Sequence, residues 1–320
     1  MKRDRPSTID LQTLGRLAVC ATLAFVGVGA GSGAVLSDDS SPAFRAAVAD
    51  FIAGRYKECQ LGFKNAALGA SRPGLAARAD YGAACCAAQR DDIDGGFEAL
   101  GLALANGYVD LDRAMTDPRL EVLRADPRWV RFVAATSENQ QSLQKSLDPD
   151  LQRLFLESED DRATLSGGAA PPSAAVVERG VARRRDVLSL VDRGRVKKAL
   201  DAFHASAILA ESDRAEELAR ASELARQAVE LDPDLLAARP LLATAIDREQ
   251  MVAGKPQRFG TQIVLVDGTW QLYTVDPAIS DADRDQFGLP PLAEARARAA
   301  ELNRPPISPG APAAPPHEHN

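Results

Sequence analysis

Residues 44–69 read FRAAVADFIAGRYKECQLGFKNAALG. Apolar residues recur at helical spacing from Phe44 to Ala53 and stop at Gly54, then recur from Tyr56 to Leu68 and stop at Gly69. This pattern predicts a helical hairpin. Leu75 to Ala88 carries a third helix, and Asp91 or Asp92 can cap a fourth that runs through Phe97, Leu100, Leu104 and Ala105 to Gly107. Aromatic residues make up only 5% of the chain, so much of the core must be Ala, Leu and Val, a composition suited to closely packed helices.

Beyond the second hairpin come Gly107-Tyr108-Val109-Asp110-Leu111-Asp112 and two Asp-Pro steps, Asp117-Pro118 and Asp126-Pro127. Each step can start a helix, with Asp as the cap and Pro at the first helical position. Leu120, Leu123, Trp129 and Phe132 are thereby placed to cover the open end of the stack. Ala53-Gly54-Arg55-Tyr56 with Ala83, Ala84 and Ala88 resemble tetratricopeptide repeats in degenerate form. The segment from Gly107 to Trp129 resembles the one that closes groups of such repeats in bacterial proteins. The resemblance implies a helical-repeat domain over 42–136 that binds a protein or peptide.

Thr136 to Asp150 is polar and puts a domain boundary near 140. Leu151 to Arg162 reads as an acidic helix, and Ser166 to Pro172 as a flexible breaker. Arg179 to Lys198 holds eight Lys and Arg residues against Asp186 and Asp192. The plain reading is a solvated helix face; the sharper one is contact with an anionic partner or membrane surface. Leu200 to Leu209 continues a helix, and Asp213 with Glu216 forms a capping box for another that ends near Leu231. Leu241, Leu242, Ala245 and Ile246 belong to a helix that closes at Gly254. Ile263 to Val266, the turn Asp267-Gly268 and Thr269 to Val275 give the strongest strand signal, a two-residue hairpin. Asp281 to Phe287 and Leu292 to Leu302 read as helices, and 304–320 as a disordered Pro/Ala tail. The expected fold is mainly α with a small β-hairpin: a helical-repeat domain followed by an α+β domain over 150–303.

Asp247-Arg248, Gly254-Lys255-Pro256-Gln257-Arg258-Phe259-Gly260-Thr261-Gln262, Asp283-Arg284 and Gly288-Leu289-Pro290-Pro291-Leu292 resemble a bacterial family of uncharacterised function. Its distinctive block is Gly-Lys-Pro-Gln-x-Tyr-Gly-Thr-Gln. Phe259 stands where that family has Tyr, which removes a hydroxyl. His204 matches a His on an upstream helix of the family, with Phe203 in place of the usual Gln, and the family's Trp-containing turn is missing around Asp192 to Lys198. The resemblance supplies a family without a reaction.

Two readings of this block stay open. In one, its side chains satisfy backbone groups of the loop and strand edge, and His204 packs in the core. In the other, His204, Asp247, Arg248, Gln257, Arg258, Thr261 and Gln262 line a small-ligand or hydrolase-like pocket, with His204 as a general base of near-neutral pKa. No Ser or Cys nucleophile motif accompanies it.

The net charge of −7 and pI near 5.2 argue against nucleic acid as a partner. Lys2, Arg3, Arg5 and Arg16 precede the apolar run Leu17 to Ala30 and the small residues Gly31 to Ala34, which reads as a signal peptide over 1–34 with Ser32-Gly33-Ala34 as cleavage site. An uncleaved anchor and a cytoplasmic leader are the alternatives, and apart from the sharper reading of the basic stretch this segment is the one place where membrane contact is possible. Export places Cys59, Cys85 and Cys86 in an oxidising compartment. Cys59 and Cys85 fall on core stripes and Cys86 is turned about 100° away, so buried thiols or a Cys59–Cys85 disulfide are the options. No spacing suggests zinc, and no cofactor is expected; His317 and His319 sit in the tail. The function expected is an exported interaction or scaffolding protein, with the small-ligand or enzyme reading as its rival.

Overall fold

The computed structural model describes residues 42–165 and 172–304. The signal-like segment, most of the 166–172 breaker and the Pro/Ala tail lie outside the described residues. The architecture is mainly α with one two-stranded antiparallel sheet.

The first lobe opens with two antiparallel hairpins, α1 (Pro42–Ile52) with α2 (Tyr56–Leu68) and α3 (Pro73–Ala88) with α4 (Ile93–Ala105). Asp92 caps α4 by accepting from the Gly95 amide at 3.0 Å. α3 packs between α2 and α4, and the closing segment covers a third side. Its Ala-rich sequence follows from this, since nearly every face of α3 is buried and only small side chains fit between three neighbours.

This enclosure corrects the reading of the cysteines. Cys59 is disulfide-bonded to Cys86, with Cα atoms 6.0 Å apart, and Cys85 is the buried free thiol. A turn of about 100° takes a side chain out of the core only when the helix has a solvent face. On α3 it redirects Cys86 to α2, while Cys85 lies near Asp117 in the closing segment.

That segment comprises α5 (Leu111–Thr116), a 3-10 turn over 118–120, α6 (Glu121–Arg124) and α7 (Trp129–Ser146). Asp117 accepts from the Arg119 amide at 3.0 Å and from the Tyr81 hydroxyl at 2.9 Å, joining the cap to α3. Leu120, Leu123, Trp129 and Phe132 are buried in the first core. α7 runs through the polar stretch expected to hold the boundary, so residue 140 lies inside a helix. Asn139 explains this, since its amide donates to the carbonyls of Leu104 and Tyr108 at 3.1 and 3.2 Å and ties α7 to the end of α4. The helix break comes instead at Leu147 and Asp148, where Asp148 caps the next helix through the Asp150 and Leu151 amides.

A second apolar core is built by α8 (Pro149–Leu165), α9 (Ala174–Asp192), α10 (Ala199–Leu209), α11 (Ala215–Leu231) and α12 (Ala238–Val252). The basic stretch is not simply a solvated face. Arg179 and Arg183 both pair with Asp161, Arg184 pairs with Glu217, Arg195 pairs with Asp148, and Arg183 is buried. The expected capping box is also absent: α11 begins at Ala215 without a side-chain cap, and Ser212 rather than Asp213 accepts from the Arg214 amide.

β1 (Ile263–Val266) and β2 (Thr269–Leu272) pair with Ile263 opposite Leu272 and Val266 opposite Thr269. Asp267 and Gly268 both have positive φ, 49° and 76°, as the two-residue turn requires. The strand stops at Leu272 rather than Val275 because Thr274 and Val275 turn to pair with Gln257. After α13 (Asp281–Asp285) and α14 (Leu292–Leu302), Asn303 brackets the open edge of β2, with its amide to the Trp270 carbonyl and its oxygen to the Trp270 amide, both at 2.7 Å. Among the described residues no helix is long and apolar enough to cross a membrane.

Candidate functional site

Asp247 sits fully buried in the last turns of α12 and faces the loop that leaves that helix. Its Oδ1 accepts from the Phe259 amide at 2.7 Å, and its Oδ2 accepts from the Thr261 amide and hydroxyl at 2.9 and 2.8 Å. Burial raises its pKa from the ordinary carboxylate value, and these hydrogen bonds oppose the rise. Between the two anchored amides, Phe259 packs against Phe287 at 4.4 Å between ring centroids, in a small apolar cluster with Ala243 and Leu289. Gly260 follows with φ +76°, and a Cβ there would lie 2.6 Å from Leu292 Cδ1. The loop therefore needs glycine for both conformation and space.

Gln257 closes the loop from the other side. Its amide nitrogen donates to the carbonyls of Gln262 and Tyr273 at 3.1 and 2.8 Å, and its oxygen accepts from the Gln262 amide at 2.8 Å. Gln262 in turn donates to the Thr261 hydroxyl at 2.8 Å. Asp247, Gln257, Thr261 and Gln262 are thus one network, directed at the chain's own backbone.

The other three candidates stand apart from it. Arg248 is buried and donates to the Ser212 carbonyl at 2.9 Å, and burial lowers its pKa. Arg258 is exposed and lies over the Phe259 ring at 5.1 Å. His204, on α10, is stacked on Phe155 with centroids 4.2 Å apart, and its Nδ1 has no hydrogen-bond partner. Burial lowers its pKa to about 4, so the near-neutral general base expected from sequence is a neutral core imidazole instead.

Beside the network lies a cleft of about 520 Å³, lined by Ile246 and Gln250 of α12, Pro256 and Arg258 of the loop, Asp276, Ala278 and Ile279 after β2, and Asp283 of α13. Of the seven sequence-derived candidates it takes Arg258 alone. Asp283 was visible in sequence beside Arg284, whereas Gln250 and Asp276 carry no local signal and reach the cleft only through the fold. Among the described residues no group of three or more His, Cys, Asp or Glu side chains is placed to hold a metal ion.

No family model matches the chain. No solved structure matches it. Over 71 residues the chain is 37% identical to a chloroplastic protein of Arabidopsis thaliana. That stretch is 22% of this chain and 21% of the plant protein. The similarity is local, and the geometry of the loop and cleft has to be argued from the residues themselves.

Proposed function

We propose that the protein is an exported scaffold that binds a protein or peptide partner through its first lobe, while the second lobe supports it. The observation that carries this reading is on the first hairpin, where Ile52, Leu61 and Leu68 are 71%, 61% and 87% exposed. Leu61 and Leu68 are seven residues apart and so share a face of α2. Burying a side chain of this kind against a partner stabilises a complex by about 1.5–3 kcal/mol. The antiparallel helix pairs, with a positive-φ glycine at Gly54 and a closing segment after α4, support the tetratricopeptide reading. The Cys59–Cys86 disulfide supports export, because such bonds persist in oxidising compartments. The Gln257 to Gln262 network supports a scaffold over an enzyme, since all its side-chain polar groups except the buried Gln262 Oε1 are engaged within the loop and hairpin.

The test is in-cell photocrosslinking from position 61, combined with fractionation and amino-terminal sequencing of the mature chain. A discrete crosslinked partner in the exported fraction, lost when Leu68→Asp is added, is the expected result. A cytoplasmic product that retains its whole amino-terminal segment, or crosslinks indifferent to Leu68→Asp, overturns the reading.

A further inference from the structure

The cleft beside the loop network brings charges of both signs against an apolar wall, and we propose that it binds a free α-amino acid with an aliphatic side chain. The cationic side is Arg258. Its guanidinium makes no ion pair among the described residues, and it is held over the Phe259 ring, which leaves its N–H edge available. The anionic side has two carboxylates. Asp276 uses Oδ1 to accept from the Ala278 amide at 2.9 Å, and among the described residues its other oxygen has no hydrogen-bond partner. Asp283 uses Oδ2 to accept from the Ser280 amide and hydroxyl, which leaves Oδ1 without a hydrogen bond among the described residues. The Ser280 hydrogen bonds, with a smaller contribution from the Arg258 charge, hold Asp283 below the usual carboxylate range, so it is ionised at neutral pH. Ile246, Pro256, Ala278 and Ile279 supply the apolar wall, and Gln250 adds an amide.

This charge arrangement selects its ligand. A simple carboxylate meets Arg258 but is repelled by two aspartates, and a simple amine meets the aspartates but makes no use of the Arg258 fork. A zwitterion satisfies both, with its carboxylate on the Arg258 fork and its ammonium between Asp276 and Asp283. A cleft of about 520 Å³ has room for a small molecule, and Ile246, Pro256, Ala278 and Ile279 give an aliphatic side chain a surface to pack on.

Titration calorimetry on the full chain with L-isoleucine, L-isoleucinamide and N-acetyl-L-isoleucine tests this without any mutation. The amide lacks the carboxylate and the acetylated probe lacks the ammonium. Isoleucine is expected to bind saturably, and each modified probe about tenfold or more weakly. In Arg258→Ala the preference for isoleucine over isoleucinamide should vanish; in Asp276→Asn the preference over N-acetylisoleucine should shrink. Both residues lie on the cleft rim, and an unchanged thermal midpoint confirms that each variant is folded. No saturable binding of isoleucine up to about 10 mM overturns the proposal. So does equal binding of the three probes to the unmodified chain.

Discussion

Arg72 and Asp234 lie 162 positions apart in the chain and form a two-point ion pair, Nε to Oδ2 at 2.9 Å and Nη2 to Oδ1 at 3.1 Å. Arg78 of α3 adds a third contact to Asp234 Oδ1 at 3.2 Å. The carboxylate belongs to the loop after α11 and the arginines to the start of the second hairpin, so one side chain joins the two lobes. Gly74 lets the approach happen, because a Cβ there would come within 2.9 Å of Asp234 Cβ and Oδ2.

Asp234→Ala removes a carboxylate that both arginines share. The Asp234 side chain is only 8% exposed, but the arginines are 34% and 26% exposed, so water can partly compensate. We expect a loss of about 1–3 kcal/mol. Hydrogen exchange should quicken at 72–78 and 232–237 while the interiors of both cores stay protected. Exchange that is unchanged at both segments would show that the pair does not couple the lobes.

The disulfide gives a second prediction. Cys59 and Cys86 are 27 residues apart, and closing a loop of that length is worth about 3.5 kcal/mol in the chain-entropy account. Cys59→Ser should therefore destabilise the first lobe by roughly 2–4 kcal/mol. Burial pushes the Cys85 thiol up to about 12, with smaller contributions of opposite sign from Arg119 and Asp117, so Cys85 should resist alkylation in the native state and react on unfolding. Peptide mapping without reductant checks both points. A Cys59–Cys85 linkage, or rapid native labelling of Cys85, would contradict the assignment.

What could be read from sequence, and what could not, divides by range. The turn at Asp267-Gly268, a cap at Asp91 or Asp92 and the breaks at Gly54 and Gly107 depend on neighbours a few residues away, and the structure places them there, with Asp92 as the cap. The cysteine pairing, the helical state of 136–146 and the burial of Arg183 depend on what packs from elsewhere. No periodicity announces that α3 has neighbours on three sides, or that Asn139 will meet two carbonyls from the end of α4. The loop motif is an intermediate case: its members Asp247, Gln257, Thr261 and Gln262 were identifiable, but most of their partners are backbone groups of the loop and hairpin that come together only in the fold.

His204 supplies a pH prediction. Its folded pKa, about 4, lies below the ordinary value of 6.5, so between these values the unfolded chain binds a proton that the folded chain does not. Stability should accordingly be lost as pH falls from about 6.5 to about 4, at up to about 1.4 kcal/mol per pH unit and roughly 3 kcal/mol in all. Asp80 and Asp247 shift upward through burial and act in the opposite sense in acid, so the informative quantity is a difference between chains. His204→Phe keeps a ring on Phe155 and removes the titration. Urea unfolding at pH 7 and pH 4.5 should show a smaller acid loss in the variant, and equal losses would place the imidazole in water.

The loop network makes the sharpest distinction between structural and ligand-binding roles. Gln257→Ala would leave the buried Gln262 amide without its acceptor and the Tyr273 carbonyl without its side-chain donor. An unsatisfied buried group costs about 1–3 kcal/mol, so the variant should lose roughly 2–5 kcal/mol. Gln257→Glu should be at least as damaging, because a carboxylate would then turn an oxygen toward two carbonyls that now receive hydrogen atoms. Asp247→Asn meets the opposite problem, as its new amide donor would confront the donors of Phe259 or Thr261. Thr261→Val removes a single hydroxyl and should cost less, about 1 kcal/mol. A structural clamp thus requires the order Asp247→Asn worse than Thr261→Val, and Gln257→Glu no better than Gln257→Ala, in urea midpoints measured on the full chain. A ligand site has no reason to follow that order in the absence of ligand, and variants that all unfold within about 0.5 kcal/mol of the native sequence would remove the structural role.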